Sequence, residues 1–139
     1  MKKVRNLVVI AVLFVILGFF LSLKSTSSKD VMSINYTYID VGKDIISEVT
    51  LTYNTGQKGS IVKKIILNKS SIIDIYQFDS ENACLLEIRN DNSETIFSAE
   101  IVDVACFDEI INEETKEEFT LVFSYPAGYG RIGIKILEE

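Results

Sequence analysis

The 139-residue chain contains no histidine and no tryptophan, a single proline and two cysteines. Without histidine no Ser-His-Asp or Cys-His arrangement can be assembled within it. A His-ligated zinc or copper centre is excluded for the same reason, and two cysteines alone do not complete a structural zinc site. One proline leaves no Pro-rich stalk or linker. Basic residues are also scarce, with 14 Lys and Arg against 20 Asp and Glu. Three of the basic residues crowd the first five positions, so the remainder is more acidic still. Nucleic acid needs a basic footprint and is therefore not an expected partner. No repeat of constant period and no low-complexity tract is present, and no motif implies a cofactor.

What is there begins with an apolar run that opens at Leu7 and closes at Leu23 (LVVIAVLFVILGFFLSL) without a charge. As a helix it covers roughly 25 Å at ~1.5 Å per residue, against a hydrocarbon layer about 30 Å thick. Lys3, Arg5 and Lys24 flank it and lengthen its reach by snorkelling. In lipid only a helix satisfies its own backbone, so the β-branched residues here do not argue for a strand. The basic flank lies on the N-terminal side, which leaves that end in the cytoplasm and the rest of the chain outside. The expected organisation is a cytoplasmic tail (1–6), a transmembrane anchor in the cell membrane (7–23), a polar tether (24–31) and one extracytoplasmic domain (32–139). A cleaved signal peptide has the same basic start and apolar middle. Ser25 and Ser27 are small residues a peptidase can accept, although no A-x-A site follows. A secreted soluble module is therefore the alternative.

From Met32 onward the apolar residues recur at every second position, the pattern of half-buried strands. Ile34, Tyr36 and Tyr38 share one face. Ile45, Val49, Leu51 and Tyr53 share another, with Glu48, Thr50 and Thr52 opposite. Residues 61–67 (IVKKIIL) read as a strand whose Lys63 and Lys64 suit an edge. Residues 72–78 read as a further strand. Asn90-Asp91-Asn92-Ser93 marks a hairpin, because Asn and Asp tolerate the left-handed region a tight turn needs. Its register is expected to pair Arg89 with Glu94 and Cys84 with Ala99. A last hairpin is expected around residues 125–130 (YPAGYG), setting Phe119, Leu121 and Phe123 against Ile132, Ile134 and Ile136. Only residues 108–118 (DEIINEETKEE) break the rhythm, and they predict a short surface helix or an ordered loop. About eight short antiparallel strands point to an all-β fold, a single β-sandwich of jelly-roll or Greek-key type.

Residues 85–98 (LLEIRNDNSETIFS), followed by residues 119–137 with their Gly-Tyr-Gly turn, resemble in rhythm the second half of small secreted jelly-roll modules. These are the bacterial pre-peptidase C-terminal-type domains, in which an "IFS"-like strand precedes a final Gly-Tyr hairpin. The resemblance covers about half of the outer domain and implies a binding or accessory module without a catalytic centre.

Few side chains are candidates for chemistry. Ser60 and Lys63 match the S-x-x-K spacing of serine acyl-transferases, but that chemistry needs both on one helical face. At a loop-to-strand junction, residues three apart point to opposite faces. Cys84 and Cys106 share an oxidising compartment if the domain is exported. The expected register nevertheless sets Cys106 ~23 Å along the strand from the position opposite Cys84, against a Cα separation below ~7 Å for a bridge. Two free, buried thiols are favoured over a Cys84–Cys106 disulfide. Asp79, Glu81 and Asp91 are weak calcium candidates, since oxygen-bearing loop residues are what Ca²⁺ takes, and no D-x-D-x-D-G run supports them. Tyr125 and Tyr129, bracketing the Pro-Gly turn, are candidate anchors for a partner. The expected function is that of a membrane-anchored binding or structural module, an accessory to another envelope or surface protein. It is not expected to be an enzyme. A small carboxylate-based hydrolase is the alternative of a different class.

Overall fold

The computed structural model describes residues 30–138, so the apolar run at 7–23 lies outside the described residues. Among the described residues no helix is long and apolar enough to cross a membrane. The chain forms β1 (Val31–Asp40), a 3-10 turn (Val41–Lys43), β2 (Ile45–Thr55), β3 (Gly59–Leu67), β4 (Ser71–Ser80) and β5 (Cys84–Arg89). It continues as β6 (Thr95–Ile101), β7 (Ala105–Phe107), β8 (Glu117–Tyr125) and β9 (Gly128–Glu138).

All nine strands belong to one mixed sheet of order β6-β5-β8-β3-β2-β9-β4-β7, with β1 paired to β2. The sheet curls on itself until it is nearly a closed barrel. Two antiparallel runs, β6-β5-β8-β3 and β1-β2-β9-β4-β7, are welded by one parallel pair, Ile45 with Lys64. At the opposite seam the rings of Phe97 on β6 and Phe107 on β7 meet edge-on, centroids 5.2 Å apart. The chain is all-β as its alternation requires, but the architecture differs from two separate sandwiched layers of about eight strands. A sandwich and a curled sheet bury the same face of every strand, so alternation does not distinguish them. Contacts between strand edges do, and those are long-range.

The expected inward residues do form the core. Val49, Leu51 and Tyr53 of β2 are buried against Ile61, Ile65 and Leu67 of β3 and Leu121 and Phe123 of β8. Each such side chain contributes roughly 1.5–3 kcal/mol by leaving water. Register shifts around Tyr38 in the β1–β2 ladder let Ile46 join the core out of strict alternation with Val49 and Leu51, while the adjacent Ile45 is buried outside that cluster. β3 faces Ile61, Lys63, Ile65 and Leu67 inward, so a lysine occupies a core-facing position. Its ammonium reaches Asp44 at 3.1 Å and lies 4.6 Å from the centre of the Tyr36 ring. The Asp44 bond holds the Lys63 pKa above its ordinary value, with partial burial opposing. Lys63 and Lys64 do not mark an edge as expected, because β3 lies inside the sheet between β8 and β2.

Two sequence expectations need correction, and a third resolves between its alternatives. The hairpin around Asn90–Ser93 exists, but it pairs Arg89 with Thr95 and Cys84 with Ile101. The loop is longer because the Asn90 side chain accepts the N–H groups of Asn92 and Glu94 while Ser93 turns left-handed at φ 63. No final hairpin forms: β8 pairs with β3 and β5, and β9 pairs with β2 and β4. Pro126 and Ala127 arch the chain over the core, and Gly128 completes the reversal at φ 115. Phe123 and Ile132 therefore face each other through the interior rather than as ladder neighbours. The resemblance to the pre-peptidase C-terminal-type module thus loses the hairpin it was built on. Residues 108–116 form no helix and follow an ordered path, fixed by buried Ile111 and by the Lys69 N–H donating to the Glu113 carbonyl at 2.7 Å.

Candidate functional site

The outer face of the β1-β2-β9-β4 run carries one large ring in a polar field. Along β4, Ile73 and Ile75 point inward and Asp74 outward. The ladder with β9 then slips, because Ile75 pairs with Ile134 and Gln77 with Gly133, leaving Tyr76 as the extra residue of a bulge. Bulges re-aim side chains, and this one puts Tyr76 and Gln77 together on the outside before Phe78 turns back to the core. The Tyr76 ring lies across β9 directly over Gly133, where any Cβ would overlap it. Its hydroxyl reaches β2, donating to Glu48 Oε1 at 2.7 Å and lying 3.1 Å from Thr50 Oγ1. The ring is thus clamped across three strands while 42% of the residue stays open to solvent. The Thr50 contact lowers the phenol pKa, but the Glu48 bond, partial burial and the Glu48 and Asp74 charges outweigh it and hold it above its ordinary value.

Around this ring stand polar groups that the fold does not use. In the register of the sheet Asp74 is opposite Lys135, and Asp79 is opposite Arg131. Both pairs have complementary charge, yet none of the four closes an ion pair or a side-chain hydrogen bond among the described residues. Thr52 and Asn35 extend the face along β2 and β1. The result is an outer surface with an aromatic centre and uncommitted donors and acceptors at its margin.

The residues singled out from sequence fare differently. Tyr125 is buried: its ring packs 4.8 Å from that of Tyr53 and its hydroxyl donates to Met32 Sδ at 3.5 Å. It is chiefly a packing residue rather than the projecting anchor expected, because the β8–β9 link folds over the core. Tyr129 is half-buried at the start of β9, opposite Asn54. Asp79 and Glu81 lie at one end of the barrel, whereas Asp91 caps the β5–β6 hairpin at the other, ~20 Å away at ~3.3 Å per residue of β5. Among the described residues no group of three or more Cys, Asp and Glu is gathered to hold a metal. Ser60 points outward and Lys63 inward, so the S-x-x-K spacing does not converge. Cys84 and Cys106 are both free, Cys84 buried in β5 and Cys106 exposed on β7 opposite Asp74. Cys106 was expected to be buried. It is not, because β7 is a three-residue edge strand that turns this position outward.

Tyr76 escaped the sequence reading, and a local signal for it exists. The inward alternation Ile73, Ile75 would continue at Gln77, whereas Phe78 is the next apolar residue able to fill the core, so one residue must be looped out. Gly133 between Ile132 and Ile134 marks the opening on the facing strand.

Inside the same end of the barrel, the buried Tyr53 hydroxyl bonds Ser80 Oγ at 3.0 Å and sits 3.8 Å from Cys84 Sγ. Burial pushes the Tyr53 phenol up to about 12 against the opposing Ser80 bond, with the Cys84 thiol adding to the rise. Burial likewise raises the Cys84 thiol. This trio holds its protons and cements the core, the opposite of an activated nucleophile. An acidic concavity of about 340 Å³ is lined by Lys69, Asp108, Glu109 and Glu114 among others. Lys69 binds Glu114 at 2.9 Å, and the three carboxylates are exposed, without the apolar enclosure that separates a general acid from a base.

No protein-family model matches the chain, and no curated protein matches it in sequence. Among solved structures it is distantly similar to a chain in the crystal structure of accessory secretory protein 1, 2 and 3 in Streptococcus pneumoniae. The identity is 12%, the match covers 78% of this chain and 89% of that chain, and the TM-score is 0.36.

Proposed function

We propose that this protein is a binding module, held at the outer surface of the cell membrane by residues 7–23 and serving as an accessory to a surface or envelope assembly. The observation that carries the proposal is the outer face centred on Tyr76. The sheet loops out a residue to present a clamped, solvent-exposed ring among polar groups that make no ion pair or side-chain hydrogen bond among the described residues. The sequence supports a non-catalytic role, since the histidine chemistries are absent and the interior trio keeps its protons.

The topology suits an anchored domain. The chain enters the barrel at one end, where Val31 pairs with Asn54 and the Asp30 carboxylate accepts the Gly56 N–H at 3.1 Å. The loops at the opposite end carry Asp91, Glu94, Asp108, Glu109, Glu113 and Glu114. An anchor ahead of Asp30 would therefore join the domain at the end opposite these acidic loops. Cleavage after Ser25 or Ser27 would release the same domain as a secreted module.

Intact right-side-out cells treated with protease test the proposal. Digestion of the C-terminal domain, with the intact N-terminus seen by mass spectrometry in the membrane fraction, is the expected result. A soluble cytosolic product, or a C-terminal domain shielded from protease, overturns it.

A further inference from the structure

We infer that the Tyr76 face binds a polysaccharide, specifically an extended chain of neutral β-linked pyranose rings. The inference deepens the proposed function and rests on it. A pyranose offers a face of C–H groups about the size of a phenol ring and a rim of hydroxyls that both donate and accept. The Tyr76 ring lies over Gly133 and stays partly open to solvent, and its own hydroxyl is already fixed by Glu48 and Thr50. It can therefore stack on a sugar without first paying for a loss of freedom. Asp74, Asp79, Gln77, Arg131 and Lys135 surround it as planar or charged groups suited to a hydroxyl rim, and none is engaged elsewhere among the described residues.

Other occupants fit this surface less well. A protein interface needs a cluster of large apolar anchors at its centre. Here the residues around Tyr76 are Thr50, Thr52, Asn35 and the charged rim, and most of the exposed large apolar side chains, such as Val62, Leu85, Val102 and Val104, lie on other surfaces. A polyanion would meet Asp74, Asp79 and Glu48 along with the two cations, so charge of one sign is not favoured. A face of mixed sign favours an uncharged chain, and equatorial β linkages leave the C–H face of each sugar clear to lie on the exposed Tyr76 ring.

The test is saturation-transfer NMR on the full-length chain in lipid nanodiscs, with cellohexaose, chitohexaose (β-linked N-acetylglucosamine) and the α-linked maltohexaose as probes. Transfer to the C–H protons of one ring face of a β-linked hexasaccharide is expected. It should weaken about tenfold or more in Tyr76→Ala and survive in Tyr76→Phe and in Tyr129→Ala. Gly133→Val, which displaces the ring without deleting it, should weaken it comparably and guards against a folding artefact in Tyr76→Ala. Absence of transfer to either β-linked probe, transfer that persists in Tyr76→Ala, or binding of maltohexaose alone overturns the inference. If no sugar binds and Tyr76→Ala instead abolishes co-purification of one membrane protein, the occupant is a polypeptide. That outcome also overturns the inference, while the binding-module reading stands. Failure of the anchored-module reading is scored separately, by the protease result in cells.

Discussion

Alanine placed at Gly130 and, separately, at Gly133 makes the same chemical change on the two faces of one strand, and the structure expects opposite outcomes. Both glycines sit in β9 under a tyrosine ring, and a Cβ at either position overlaps that ring. Under Gly130 the ring is Tyr53, 0% exposed, wedged against Tyr125 and bonded to Ser80. It has nowhere to go, so overpacking of about 1–3 kcal/mol adds to the loss of a hydrogen bond worth about 1 kcal/mol. A total of about 3 kcal/mol lowers the melting temperature by roughly 12–24 °C, at ~4–8 °C per kcal/mol for a domain near 100 residues. Over Gly133 the ring is Tyr76, which can swing into solvent. Its exposed hydrogen bonds contribute about 0.5–1 kcal/mol each, and replacing a strand glycine returns about 0.5–1 kcal/mol of backbone entropy. The net change for Gly133→Ala is then within about 1 kcal/mol. Thermal melts followed by circular dichroism decide between the two. Equal destabilisation, or a greater loss at Gly133, refutes the assignment of Tyr53 to the core and Tyr76 to an open face.

Other outcomes follow from the same geometry. The Tyr53 phenol is held at about 12 in the fold against about 10 in the unfolded chain. Its contribution is complete below pH 10 and lost as pH rises toward 12, so Tyr53→Phe should flatten that part of the stability–pH curve, and an unchanged slope would count against the buried phenol. Lys63→Val removes the ammonium from Asp44 and the Tyr36 ring; thermal melts should show stability altered by less than about 1 kcal/mol, and a larger loss would show that this ion pair is part of the core. Replacing residues 112–116 by a Gly-Ser segment of equal length should preserve a cooperative melt, whereas Ile111→Ala should lose about 2–4 kcal/mol because its side chain is buried. A thiol reagent at pH 8 should modify Cys106 alone until the chain is denatured, and two fast-reacting thiols would show that the Cys84 site is open.

Much of the strand inventory can be read directly from the residues, because alternation is a local property. Ile45, Val49, Leu51 and Tyr53 announce an inner face whatever they pack against, and Asn90–Ser93 announces a turn from its own side chains. The candidate site cannot be read in this way. Tyr76 and Gly133 are far apart in the chain and meet only when β4 and β9 align with a one-residue slip. Tyr125 and Tyr129 look like anchors beside a Pro-Gly turn until the arch over the core buries the first and half-buries the second.

The sequence by itself determined the missing chemistries, the charge, the apolar leader and the side of each strand that avoids water, since these depend on residue type and near neighbours alone. Tertiary structure decided which strand edges meet: that β8 and β9 part company over Pro126, that Ile45 and Lys64 weld two runs into one curled sheet, and that Tyr76 rides outside over Gly133. Backbone edges are alike from residue to residue, so pairing is chosen by the packing of the whole core rather than by any one stretch.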